Sequence, residues 1–198
     1  MGSVTIDQVN LSETDYVVLD LETTGFAASG GDRVVEVALL RCRPGEGVVD
    51  RFATLVDPRR DVGPTRIHRL REHDVHTAPP FEALIPQLRR RLSGAVLVAH
   101  NLSFDLGFLR AEFGRAGASL PAVPTVCTLE LVKCLGVEVE DTSLASCCRA
   151  LAVPFDDRRS HGAGADAHAA AGLLLRLLRT ARERGLRTLA DLGCGGRS

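Results

Sequence analysis

The sequence predicts an α/β domain built on a mixed five-stranded sheet, and three observations predict it. Short apolar, β-branched runs bounded by turn residues recur along the chain. Two of them are joined by a four-residue turn, Pro44-Gly45-Glu46-Gly47. The later runs alternate with segments whose apolar residues recur at helical spacing.

In chain order, residues 16–19 (Tyr16-Val17-Val18-Leu19) read as a buried first strand. Residues 33–43, with Val34, Val35, Val37, Leu39 and Leu40, and residues 48–56 are the next two, paired as an antiparallel hairpin by the intervening turn. A short helix is expected over 65–71. A longer one over 80–92 carries Phe81, Leu84, Ile85, Leu88 and Leu92 on one face; Pro86 in its middle predicts a kink or a later start. Residues 95–99 form a fourth strand that runs straight into a helix over 103–115. Residues 123–126 complete the sheet, followed by helices over 129–135, 143–151 and 165–184. The Gly-rich stretch from Leu192 onward is expected to be disordered. The organisation is therefore an N-terminal segment, 1–14, a single domain, 15–185, and a C-terminal tail, 186–198.

Composition excludes several classes. A length of 198 residues suffices for one hydrophobic core, and 45% hydrophobic with 25% charged residues is ordinary for a soluble protein. No apolar run approaches the roughly 18–20 residues of a membrane-spanning helix. The first ten residues lack a secretory layout, so a cytoplasmic location is the expectation. The six cysteines, Cys42, Cys127, Cys134, Cys147, Cys148 and Cys194, include no CxxC pair and read as free thiols. A net charge of −1 excludes a polycation that coats nucleic acid. The arginine clusters around Arg59–Arg71 and Arg89–Arg91 read as solvated surface in a chain whose only lysine is Lys133.

Chemistry concentrates at three junctions. The first strand ends in Asp20-Leu21-Glu22-Thr23-Thr24-Gly25. Strand alternation puts Asp20 and Glu22 on one face, where two carboxylates repel unless a cation sits between them. A hard divalent cation suits such oxygen donors. The fourth strand gives way to His100-Asn101-Leu102-Ser103-Phe104-Asp105, with Asp105 in the first turn of its helix. Alone it is an ordinary helix-start acid favoured by the macrodipole, and Asn101 or Ser103 an ordinary N-cap. A parallel arrangement of the two strands, however, brings Asp105 to the same sheet edge as Asp20. The third junction is Ser160-His161-Gly162-Ala163-Gly164-Ala165-Asp166. On one helix His161 and Asp166 would point roughly 140° apart. The two glycines instead place His161 on a loop and let Asp166 open the helix.

Taken together, Asp20-x-Glu22-Thr23-Thr24-Gly25, His100-Asn101-x-x-Phe104-Asp105, and His161 with Asp166 resemble the DEDDh family of 3′→5′ exonucleases over roughly residues 15–180. The sister branch with a tyrosine three residues before the last aspartate does not fit, since the only tyrosine is Tyr16. The resemblance implies a ribonuclease-H-like fold and two divalent cations, Mg²⁺ or Mn²⁺, held by Asp20, Glu22, Asp105 and Asp166. It implies His161 as general base and nucleoside 5′-monophosphates as products. It further implies Thr23, Gly25, His68, His100 and Asn101 as substrate contacts, although Arg69 stands where the family's Ile-His-Gly segment has glycine. The expected partner is a nucleic-acid 3′ end, DNA before RNA, with no membrane. Neither Gln8 nor Gln87 begins a convincing clamp-binding motif, so a stand-alone enzyme is expected, with docking on a polymerase as the alternative.

Overall fold

In the computed structural model, residues 9–156, 162–193 and the backbone of 195–197 are described. The sheet is organised around β1 (Tyr16–Thr23), whose alternating side chains are apolar on both faces. Val17, Leu19 and Leu21 join one core, and Tyr16 and Val18 the other. A strand with two apolar faces has to be covered on both sides, which places β1 inside the sheet with helices above and below. β2 (Val34–Arg43) and β3 (Gly47–Leu55) form the expected antiparallel hairpin, and β2 pairs antiparallel with β1.

Between hairpin and next strand lie three helices, α1 (Thr65–His68), α2 (Glu72–Val75) and α3 (Phe81–Leu92). The single helix expected over 65–71 is therefore two one-turn helices. They are separated at Arg69, which adopts the left-handed backbone (φ 62°) that ends α1. α3 starts directly after Pro80, so Pro86 does not delay it.

β4 (Val96–Ala99) pairs parallel with β1, matching Val18 to Val98, and leads into α4 (Leu102–Arg115). β5 (Pro124–Cys127) pairs parallel with β4 and is followed by α5 (Thr128–Cys134), α6 (Leu144–Ala150) and α7 (Ala163–Glu183). Ser143 caps α6 by accepting the Ser146 N–H at 3.2 Å. α7 begins two residues earlier than expected, so Gly164 lies within its first turn.

The expected five strands are extended by a short sixth, β6 (Gly195–Arg197), antiparallel to β5, giving the order β3-β2-β1-β4-β5-β6. Disorder from Leu192 onward is corrected on two counts. Leu192 is buried in the core, and the outer edge of β5 offers N–H and C=O groups that the tail backbone pairs without needing side chains. Among the described residues no helix is long and apolar enough to cross a membrane.

The two cores sort the helices by face. α7 packs its Ala167, Leu173, Leu174 and Leu177 with Tyr16, Val18, Ala38 and Val98. α3 and α4 pack Leu88, Leu106 and Phe108 with Val17, Leu19, Leu39 and Leu97. α4 is further fixed by an ion pair: Glu112, 2% exposed, accepts two bonds from Arg33 at 2.7 and 2.9 Å and one from the Val34 N–H at 3.2 Å. Such a bidentate pair holds geometry, and removing one partner strands the other's charge. Glu112→Ala should cost about 3–5 kcal/mol of stability in urea unfolding. A loss within experimental error of zero would show that the pair does not anchor α4.

Candidate active site

The carboxyl ends of β1 and β4 lie side by side because the two strands are parallel and in register. Asp20 therefore sits beside the turn from which α4 starts, and Asp20 and Glu22 project on the Tyr16–Val18 face, toward α7. Asp166, in the first turn of α7, comes down on the same pair. One carboxylate oxygen each from Asp20, Glu22 and Asp166 lie within 4.8 Å of one another. Asp105 arrives from the opposite side of the sheet and reaches round the end of β1. It is 4% exposed, with its carboxylate accepting the Leu21 backbone N–H and its own.

The electrostatics are one-sided. Burial pushes Glu22 up to about 7, with Glu36 and Asp166 adding to the shift. Burial likewise pushes Asp105 up to about 8, opposed by its backbone hydrogen bonds and reinforced by Glu22. Asp20 lies well above the carboxylate range, through burial first and then the charges of Asp105, Asp166, Glu22 and Glu36. Among the described residues no arginine, lysine or histidine forms an ion pair with Asp20, Glu22 or Asp105. The donors are all oxygens, and among the described residues Asp20, Glu22 and Asp105 have no cationic side chain paired with them. Both features fit a hard divalent cation.

Two residues near the acids were missed by motif reading. Glu36 lies directly across the β1–β2 ladder from Glu22 on the α7 face, and its carboxylate accepts the Ala163 N–H at 3.0 Å. Only the strand register, which fixes Glu22 against Glu36, could have found it. Phe26 follows the first motif and is 76% exposed, with its ring centroid 6.4 Å from that of Phe104. Phe104 in turn packs on Phe108 at 5.0 Å. A large aromatic left in water directly after the first acidic motif is the surface signal here.

The remaining predicted residues divide. Thr23 is buried and its hydroxyl donates to the Gly25 carbonyl at 2.7 Å, tightening the turn. Gly25 is required for an internal approach: a Cβ there would sit 2.3 Å from the Asp32 carboxylate, which itself accepts the Ala27 N–H at 3.0 Å. Gly63 presses on the same turn, where a Cβ would lie 2.0 Å from the Thr24 carbonyl oxygen. Asn101 is exposed at the head of α4 in a left-handed conformation (φ 62°) that asparagine tolerates, with its side chain not used as a cap.

His68 and His100 turn inward. His68 is 2% exposed; its Nδ1 accepts the Leu70 N–H at 3.1 Å, so Nε2 carries the proton and donates to the Val62 carbonyl at 3.1 Å. His100 Nε2 donates to the Thr142 carbonyl at 3.0 Å, and its Nδ1 accepts from the Thr128 hydroxyl at 2.9 Å. With both ring nitrogens engaged, these histidines brace the loops around the site. Burial lowers both pKa values, which favours the neutral rings these bonds require. His161 lies outside the described residues.

Comparison with known proteins follows this geometry. Residues 17–174 match the family described as Exonuclease (RNase_T). A DNA polymerase III subunit epsilon-like protein of Rhodobacter capsulatus is 34% identical over 190 residues, 94% of this chain and 27% of its own length. The 3′-5′ exonuclease DinG of Bacillus subtilis is 30% identical over 185 residues, 92% of this chain and 19% of its own length. Among solved structures, Exonuclease X in complex with 5′ overhanging duplex DNA superposes with a TM-score of 0.69 at 26% identity, over 89% of this chain and 98% of that one. The chain thus spans less than a third of the curated relatives named here, while matching nearly the whole of one solved exonuclease. On the match over residues 17–174, the chain belongs to the Exonuclease (RNase_T) family.

Proposed function

We propose that this domain removes nucleotides singly from DNA 3′ ends, by metal-assisted hydrolysis. The observation that carries the reading is the convergence of Asp20, Glu22 and Asp166, with Asp105 behind them, into one anionic pocket. Asp20, Glu22, Asp105 and Asp166 would hold a pair of Mg²⁺ or Mn²⁺ ions. Such a pair, when bound, supplies positive charge that acidifies the attacking water and steadies the departing oxygen. His161 would accept the water's proton, for which an ordinary imidazole pKa near 6.5 is suited. The new bond joins the water oxygen to phosphorus, and the bond to the 3′ oxygen of the preceding nucleotide breaks. The products are a nucleoside 5′-monophosphate and a strand ending in a 3′-hydroxyl.

The chain's own surface supplies the grip on the terminal nucleotide. Phe26 offers an exposed ring on which a base can stack, a contact that tolerates any base. Asn101 offers an amide at the same edge. With only 4% aromatic residues, contact concentrates on the last one or two nucleotides. DNA as substrate is supported by the duplex DNA bound to Exonuclease X. The likeness to a DNA polymerase III subunit epsilon-like protein supports a second reading, in which the domain also docks on a polymerase. A pull-down against replicative polymerase decides it.

End-labelled single-stranded DNA, duplex DNA, RNA and dinucleotides incubated with Mg²⁺ or Mn²⁺ test the reading directly. The expected products are single nucleotides from DNA 3′ ends; faster trimming of RNA would reassign the substrate. Asp20→Ala and Asp166→Ala should abolish metal-dependent cleavage while the circular dichroism spectrum stays wild-type, and turnover retained in either variant would end the metal proposal. His161→Ala should lower kcat by about 10²–10⁴-fold with DNA still bound. A variant as fast as wild type at neutral pH would remove the histidine from the reaction.

The raised carboxyl pKa values set a pH dependence. Glu22 at about 7 and Asp105 at about 8 bind protons more tightly in the folded protein than in the unfolded chain. The stability this contributes is fully present below the ordinary carboxylate range, about pH 4, and is lost as pH rises through 7 to 8. In chelator, the melting temperature should therefore fall from pH 6 to pH 8.5, and Asp105→Asn should flatten that slope. Added Mg²⁺ should raise the melting temperature more at pH 8.5 than at pH 6, where protons compete for the same oxygens. A metal-free protein that gains stability over this interval would contradict the assignment.

A further inference from the structure

We infer that Glu36 is a positioning residue of the active site, holding the start of α7, and with it Asp166, in place against β1. The inference rests on the exonuclease reading above and adds to it a residue outside the five-residue motif. Glu36 occupies an unfavourable place. It lies opposite Glu22 in the ladder, both on the face that already carries Asp20, and like charges directly opposed on a sheet destabilise it. A carboxylate kept there needs a compensating contact, and the structure supplies one. Glu36 Oε2 accepts the Ala163 N–H at 3.0 Å, the first N–H of α7, where the helix dipole favours an anion.

The helix has no side-chain cap of its own. Its N-cap is Gly162, without a side chain to offer, and a second glycine, Gly164, follows within the first turn. A start of this kind is intrinsically loose. The hydrogen bond from Ala163 is therefore an external cap, delivered across space from β2.

One rigid group transmits the effect. The Gly162–Ala163 peptide unit is planar, so fixing its N–H fixes its carbonyl. That carbonyl accepts the N–H of Ala165 at 2.9 Å and of Asp166 at 3.2 Å. Glu36 thus holds one side of a peptide plane whose other side holds the backbone of Asp166. The strand pair sets Glu22 against Glu36, and this plane sets Asp166 against Glu36. The two carboxylates that must share a cation are in this way referred to a single residue.

Two substitutions separate positioning from charge. Glu36→Ala removes the acceptor; Glu36→Gln keeps an oxygen that can accept the Ala163 N–H while losing the charge. Calorimetric titration with Mn²⁺ gives a readout independent of catalysis, and thermal unfolding confirms that each variant is folded. Glu36→Ala should weaken Mn²⁺ binding and lower kcat by about 10–100-fold, with KM for DNA unchanged, and Glu36→Gln should recover most of both. Wild-type Mn²⁺ affinity in Glu36→Ala would overturn the inference, as would Glu36→Gln being as impaired as Glu36→Ala, since charge rather than the hydrogen bond would then be what matters. If the wild-type protein itself bound no Mn²⁺, the exonuclease reading would fall first.

Discussion

Mutual repulsion among carboxylates at the end of one buried strand is the constraint on which the rest of this structure turns. Asp20, Glu22, Glu36, Asp105 and Asp166 all raise or feel one another's pKa values, and burial raises the cost of each charge further. A fold at liberty to relax would let these groups separate into water. Here they cannot, because they stand on four well-packed parts of the domain: two on β1, one on β2, one on α4 and one on α7. The apolar cores on the two faces of the sheet impose the convergence that electrostatics opposes. Burial of a single leucine is worth roughly 1.5–3 kcal/mol, so two cores of this size outweigh the repulsion.

The two helices that bring acids to β1 are fixed differently. α7 is held by an extensive apolar face against β1 and β2, and its exact start is left to the contact with Glu36. α4 is held by the opposite core and by the Arg33–Glu112 pair two turns beyond Asp105. The Asp105 carboxylate accepts the N–H of Leu21 of β1 directly. That bond ties the last acid to the strand bearing the first two, and explains how a residue from the far face of the sheet comes to lie behind Asp20.

Much of this was legible in the sequence because it follows from local periodicity. Alternation in Asp20-Leu21-Glu22 puts the acid pair on one face, and the apolar run at residues 95–99 followed at once by a helix implies a parallel partner for β1. What was illegible depends on pairings between distant segments. Nothing near Glu36 marks it as special; its role exists only because β2 aligns it with Glu22 and α7 starts above it. His68 and His100 stand at motif positions and read as substrate contacts, yet the partners that absorb their ring nitrogens, Val62, Leu70, Thr128 and Thr142, carry no sequence signal. Gly25 stands at a motif position as well, and its lack of a side chain also makes room for the Asp32 carboxylate, which the sequence around it does not announce. Arg69 shows the reverse case. The glycine of the resembling segment is replaced, and the backbone nonetheless takes the left-handed turn that a glycine adopts without strain.

A cation bound among these acids would be more than a reagent. Its ligands come from the central strand, from α4 and from α7, elements that otherwise touch only through apolar side chains and a handful of hydrogen bonds. Binding would convert repulsion between them into attraction through a shared charge, and the free energy of binding would then be stabilisation of the packed domain over any state in which α7 has lifted away. Folding and catalytic competence would then be coupled through the same few oxygens. The residues that matter to the site therefore include those, such as Glu36 and Glu112, that set how the elements bearing the carboxylates are held before any ion arrives.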